Sequence, residues 1–131
     1  ILAGRILPRL PFPLELAYLH ASRYGHALQG TLLDWRVRPT QDLRGRTVLV
    51  LDDILDEGHT LKAIIEHLHE EGAAEVLSAV LVHKLHDRKA AAGMRADFSG
   101  LDIADRFLFG CGMDYKGYWR NAPGIYAVKG L

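Results

Sequence analysis

A single cysteine, Cys111, stands among 131 residues, so no internal disulfide framework can form. That scarcity makes a cytoplasmic setting the expectation. Charge of one sign is not in excess either: sixteen Lys and Arg balance sixteen Asp and Glu, for a formal net charge of zero. No net field draws the chain to nucleic acid or to an anionic membrane, and neither is expected as a partner. Long apolar runs are missing, none approaching the roughly 18 residues that a membrane helix needs. Arg5 and Arg9, with prolines close by, make the opening a poor secretory leader. Repeats, linkers and low-complexity tracts are also absent. Seven histidines occur, but no H-E-x-x-H or paired Cys/His spacing accompanies them, which excludes the common zinc motifs. His67 and His69 cannot share a helix face, and structural or surface roles are expected for the histidines.

What is present is an ordinary globular composition, 49% hydrophobic and 24% charged, at a length suited to one domain with a real core. Residues 1–131 are therefore expected to form a single domain. Leu2 to Leu10 reads as the tail of a helix closed by Pro11 and Pro13, so the domain is expected to be incomplete at its amino end. Leu14 to His20 is expected to be a buried strand, Ala21 to Gly30 a loop, Thr31 to Val37 a strand and Pro39 to Gly45 a turn. Thr47 to Leu51 is a β-branched and aliphatic run of the kind covered on both faces. Leu61, Ile64, Ile65 and Leu68 fall at i, i+3, i+4 and i+7, which predicts a helix over Gly58 to Glu71, ended by Gly72. Glu75 to Val82 is the next strand. Strand, helix and strand at this spacing form a βαβ unit, so the two strands should be parallel. Beyond lie a loop from Leu85 to Met94, short extended pieces near Phe98 and at Phe107–Phe109, a helical turn after Asp114, and a last strand at Ile125–Val128.

The most informative stretch runs from Val48 to Thr60. An apolar strand leads into Asp52 and Asp53, two more apolar residues, Asp56, and then Gly58 within a short polar turn before the helix. Open α/β sheets place their ligands at such carboxyl ends. Adjacent carboxylates can accept from a vicinal diol, directly or through the waters of a bound Mg²⁺. The amides from Glu57 to Thr60, with His59 between them and the Thr60 hydroxyl, open a helix whose free N–H groups favour an anion. A phosphorylated sugar suits both halves. Asp56 and Glu57 could instead merely complement the helix dipole.

Two further constellations follow. Lys84 ends the next strand, with Arg88 in the loop after it, on the same rim as the Asp52 turn. The segment from Phe107 to Arg120 (FLFGCGMDYKGYWR) offers an aromatic ring for a planar base, glycines that allow close backbone approach, a carboxylate at Asp114 and a guanidinium at Arg120.

Val48–Thr60 resembles the phosphoribosyl-diphosphate-binding motif of the type I phosphoribosyltransferases: four apolar residues, two acidic, two apolar, Asp, a small residue, Gly, any residue, Thr. Asp105, Phe107, Gly110, Asp114, Tyr115 and Arg120, together with Lys84, resemble the hypoxanthine-guanine branch. The resemblance implies an α/β fold, a central mostly parallel sheet flanked by helices, with a small hood formed by terminal segments. It implies transfer of the 5-phosphoribosyl group from 5-phosphoribosyl 1-diphosphate to N9 of hypoxanthine or guanine, releasing pyrophosphate, with Mg²⁺ as cofactor, in a homodimer or homotetramer.

By the same resemblance Asp52 and Asp53 meet the ribose hydroxyls, and the turn Glu57–Gly58–His59–Thr60 cradles the 5′-phosphate. Asp56 serves as general base at N7. Phe107 stacks on the purine, Leu108 reads its edge through the backbone, and Lys84 donates to the 6-oxo group. Asp114 binds at the purine site and holds Mg²⁺, with Asp52 and Asp53 reaching the ion through water, while Arg120 and Arg88 meet pyrophosphate. Ser22 and Tyr24 correspond to a mobile loop's Ser-Tyr pair, here with one extra residue between them, and a glycine loop for pyrophosphate is expected before Ile1. Glu57 departs from the pattern, where the family usually has Ser or Thr. Two rivals stand beside this reading: the same enzyme acting on another base such as xanthine, and a regulatory sensor that keeps the pocket without turnover.

Overall fold

A computed structural model describes residues 1–23 and 33–131. Helix α1 (Leu2–Ile6) continues into a single tight turn at Leu7–Arg9. Strands β1 (His20–Arg23) and β2 (Leu33–Val37) form an antiparallel pair with Ala21 opposite Trp35. The main sheet holds three parallel strands in the order β3 (Thr47–Leu55), β4 (Glu75–Leu85) and β5 (Phe98–Ala104). Helix α2 (His59–Glu70) connects β3 to β4, and a small antiparallel pair, β6 (Leu108–Phe109) with β7 (Tyr126–Ala127), closes the chain.

The apolar stripe of α2 does what its spacing predicts. Leu61, Ile64 and Leu68 are buried against Val50, Leu55 and Val80 of the sheet. Each such side chain contributes about 1.5–3 kcal/mol when fully buried. The helix ends where expected. The Gly72 amide donates to the His69 carbonyl and the Ala73 amide to the Leu68 carbonyl, with Gly72 at a φ of 96°. That paired closure needs a left-handed residue. No helix of the described residues is long and apolar enough to cross a membrane.

Several boundaries differ from the sequence reading. Residues 14–19 form no strand, and Leu14, Leu16 and Tyr18 are exposed. The segment finds no ladder: its Leu16 carbonyl accepts only from the Gln41 side chain, at 3.2 Å. Apolar residues without a hydrogen-bonding partner strand do not make a sheet. Pairing with β2 instead makes a strand of His20–Arg23, most of which was expected to lie in a loop.

Strand β3 runs on past Leu51 to Leu55, because the parallel partner β4 also extends, to Leu85. Leu49 stays 40% exposed, so β3 is fully covered on its α2 face alone. β5 is a full strand from Phe98, anchored where Asp97 accepts from the Ser78 amide at 2.7 Å and from its buried hydroxyl at 3.1 Å. After Asp114 there is a tight hairpin rather than a helical turn. Tyr115 and Tyr118 exchange backbone hydrogen bonds around Lys116, whose φ is 52°. A second such turn joins Gly110 to Met113 around Cys111, at φ 50°. Paired left-handed residues of this kind close two-residue hairpins.

Candidate active site

The carboxyl ends of β3 and β4 gather most of the candidate site residues. Asp52 and Asp53 sit inside the β3 ladder, Asp52 in register with Val80. Neither carboxylate forms an ion pair among the described residues. The Asp53 amide donates to Asp52 Oδ1 at 2.9 Å. Crowding around the Asp52 carboxyl, then the neighbouring Asp53 charge, push its pKa up to about 6. Part of that side chain still meets solvent, which screens the effect, but the direction follows directly from two acids side by side.

Asp56 and Glu57 bend the chain into Gly58, which caps α2 in the left-handed region at φ 86°. A Cβ there would lie 2.8 Å from both Leu55 Cδ1 and Met94 Sδ, so the position admits only glycine without displacement. No side chain caps α2, and its first backbone bond runs from the Lys62 amide to the Gly58 carbonyl at 2.9 Å. The amides of His59, Thr60 and Leu61 therefore lack helical partners and face a cavity of 530 Å³ lined by residues 52–61. A second cavity of 670 Å³ shares Asp52, Asp53 and Thr60 and has Arg120 in its wall.

Asp56 is held by three cation-type side chains. Lys84 Nζ donates to Oδ2 at 3.1 Å and His86 Nε2 to Oδ1 at 2.7 Å, while Lys89 Nζ donates to the Asp56 backbone carbonyl and, at 2.7 Å, to that of Lys84. Burial raises the Asp56 pKa, but the hydrogen bonds from His86 and Lys84 and the Lys84 charge outweigh it and leave it below the ordinary carboxylate value. Lys84 also lies 3.7 Å from Asp105, which accepts from Arg88 at 2.8 Å. Asp56, His86 and Asp105 bring ligand-type atoms to within 4.8 Å of one another, a composition that could hold a metal. Here Lys84 and Arg88 already take the place of a cation.

Glu57 turns its carboxylate toward Arg88, at 4.0 Å, and His59 Nε2, at 3.5 Å. Asp114 Oδ2 accepts from the Gly117 amide at 2.7 Å and Oδ1 faces Arg120 at 3.2 Å. Arg120 also donates to the Gly112 carbonyl at 2.8 Å. Phe107 is 45% exposed and meets Tyr115 edge-on at 5.7 Å, which leaves a ring face for stacking. Leu108 is buried and pairs with Ala127. Ser22 lies in β1 opposite Asp34, and Tyr24 lies outside the described residues.

The phosphoribosyl transferase domain family matches residues 1–116. The chain belongs to that family. It is 32% identical over 140 residues to the hypoxanthine-guanine phosphoribosyltransferase of Streptococcus pneumoniae, covering 98% of this chain and 77% of that enzyme. The enzyme of the same name from Bacillus subtilis is 33% identical over 120 residues, a match to 88% of this chain and 64% of the relative's length. Among solved structures, a hypoxanthine phosphoribosyltransferase from Staphylococcus aureus superposes with a TM-score of 0.86 at 28% identity, over 96% of this chain and 68% of that one. The central parallel sheet and its flanking helices are thus the type I phosphoribosyltransferase fold.

Within this family member the structure brings Asp52, Asp53, Thr60 and Arg120 to shared cavity walls and joins Lys84 to Asp56. It ties Asp114 to Arg120, and Arg88 to Asp105. The residue pattern leaves Lys89 unmarked and gives His86 only a structural or surface role. Lys89 acts on backbone carbonyls, which leave no trace in residue pattern. His86 becomes a neighbour of Asp56 only through the parallel pairing of β3 and β4.

Proposed function

We propose that this phosphoribosyltransferase, a glycosyltransferase of purine salvage, moves the 5-phosphoribosyl group from 5-phosphoribosyl 1-diphosphate to N9 of hypoxanthine or guanine and releases pyrophosphate. The observation that carries the reading is the continuity of β3, turn and α2: two unpaired carboxylates lead directly to three amides without helical partners. Carboxylates suit the ribose hydroxyls and the amides suit the 5′-phosphate. Glu57, Gly58, His59 and Thr60 form that phosphate cradle, with the Glu57 side chain drawn aside by Arg88.

Mg²⁺ prefers a few carboxylates and retains waters, and Asp52, Asp53 and Asp114 are the carboxylates that would hold it, directly or through water. Asp52 and Asp53 offer unpaired oxygens, and Asp114 has lone pairs beyond its Gly117 and Arg120 contacts. When bound, the ion supplies charge neutralisation for the diphosphate. Arg120, on the same cavity wall, adds its guanidinium to the leaving pyrophosphate, and Arg88 stands on the rim beside Glu57.

Phe107 stacks on the purine with the Leu108 backbone at its edge. Lys84, 3.1 Å from Asp56, presents its ammonium to the 6-oxo group. Asp56 is ionised at neutral pH and accepts the N7 proton as the new glycosidic bond forms at N9. The enzyme works in the cytoplasm as a homodimer or homotetramer, a state that sedimentation of the whole protein reads directly.

Product formation from guanine and 5-phosphoribosyl 1-diphosphate tests the activity. A sensor would bind both and turn over neither. Asp56→Asn is expected to lower turnover by about 10²–10⁴, the usual span of general-base catalysis. A turnover within about threefold of wild type would remove Asp56 from the base role.

A further inference from the structure

Asp56 is gripped on both oxygens by side chains, Lys84 at the end of β4 and His86 just beyond it. His86 lies in the loop after β4, its side chain only 4% exposed. The Arg88 backbone N–H donates to His86 Nδ1 at 3.1 Å. Nδ1 is therefore the acceptor, and the ring carries its proton on Nε2. That Nε2–H points at Asp56 Oδ1, 2.7 Å away. Lys89 Nζ, 3.4 Å from the same nitrogen, is committed to the Asp56 and Lys84 carbonyls instead. A short backbone contact thus selects the tautomer, and the tautomer selects the donor.

We propose that His86 is a positioning residue for Asp56: the neutral ring, locked by the Arg88 amide, holds one carboxylate oxygen so that the other lone pairs meet the purine N7–H in a single orientation. The proposal rests on the general-base reading of Asp56 and adds the residue through which that base is aimed. The charged and titratable groups that the structure ties to this pair come from four places. Lys84 comes from β4, His86, Arg88 and Lys89 from the following loop, Asp105 from the end of β5, and Glu57 and His59 from the turn itself. None but His86 and Lys84 touches the Asp56 carboxylate among the described residues.

Two near-isosteres separate the two halves of the imidazole. Asn places a polar atom near Nδ1 and can still accept from the Arg88 amide, but it is too short to reach Asp56. Gln places an amide N–H near Nε2 and restores the donor. The measurement is kcat, KM and the pH profile of kcat/KM for guanine in wild type, His86→Asn, His86→Gln, Asp56→Asn and the double variant His86→Asn with Asp56→Asn. His86→Asn should lower kcat about tenfold, since misplacing a reacting group by even an ångström is costly, and leave the KM for guanine nearly unchanged. Its acidic limb should move to higher pH, because the ionised carboxylate has lost a donor. His86→Gln should recover most of the rate. In the Asp56→Asn background His86→Asn should add nothing.

A wild-type rate and pH profile for His86→Asn, or a loss that persists in the double variant, overturns the positioning role. So does a folded His86→Gln that recovers nothing. If Asp56→Asn alone stays within about threefold of wild type, the general-base reading itself has failed and the positioning role falls with it. A crippled Asp56→Asn beside an unaffected His86→Asn defeats the positioning role alone.

Discussion

Glu57 occupies the place in the proposed phosphate turn where the family usually has a hydroxyl, and its carboxylate is drawn off by Arg88 and His59. The backbone N–H groups of the turn stay available, but a negative charge remains within reach of the phosphate. Glu57→Ser should therefore tighten binding of 5-phosphoribosyl 1-diphosphate, by a factor of about five if the repulsion is near 1 kcal/mol. Calorimetric titration reads the change, and an unchanged or weaker affinity would show that Arg88 needs Glu57 more than the phosphate rejects it.

Asp52 allows a test with a sign. Its pKa is raised to about 6 in the fold from 3.8, so the folded state binds the proton more tightly than the unfolded state. Stability is then fully present below the unfolded value and is lost as pH rises through about 6. Asp52→Asn removes that loss, and its Tm should exceed wild type by more at pH 7.5 than at pH 5. Both residues were nameable from the sequence, because adjacent acids after an apolar run have few other uses. The partners of Asp56 were only half nameable. Lys84 stands out at a strand end, whereas His86 counts only after β4 is laid beside β3.

At the scale of elements, β3, the turn and α2 form one mechanical unit, and Gly58 is its joint. Its backbone is left-handed, and a Cβ would strike Leu55 and Met94. Gly58→Ala should cost about 1–3 kcal/mol of stability, the usual penalty for a strained backbone position, and should weaken phosphoribosyl diphosphate binding along with it. Thermal unfolding and titration on one preparation check both. Loss of stability with intact binding would separate the joint from the phosphate site.

The helix was legible to within a residue because a period of 3.6 survives in the order of Leu61, Ile64 and Leu68. Strand ends were less so. Asp52 and Asp53 look like the end of a strand by hydrophobicity, yet a ladder continues while its partner supplies hydrogen bonds, and β4 supplies them to His83 opposite Leu55. The hairpin at Tyr115–Tyr118 was missed because Lys116 is an unusual residue for a left-handed turn position.

For the whole molecule, balanced charge has a measurable effect. With sixteen positive and sixteen negative side chains, electrostatic repulsion between copies is least near neutral pH. Apolar side chains at Leu14, Leu16, Tyr18, Tyr118 and Trp119 lie at the surface. Light scattering at fixed concentration should peak near pH 7 and fall on either side, at low salt, while the protein remains folded. A flat profile would mean that these apolar groups are covered in solution. The parallel sheet has another consequence, in the order of folding. Residues 47–55 must find 75–85, and these must find 98–104, before the turn after β3 has a base to stand on. Pairings so distant along the chain are slow to nucleate because loop closure precedes any reward. Refolding should thus regain helical signal first and ligand binding last, with the anion pocket appearing only as the final cooperative step completes.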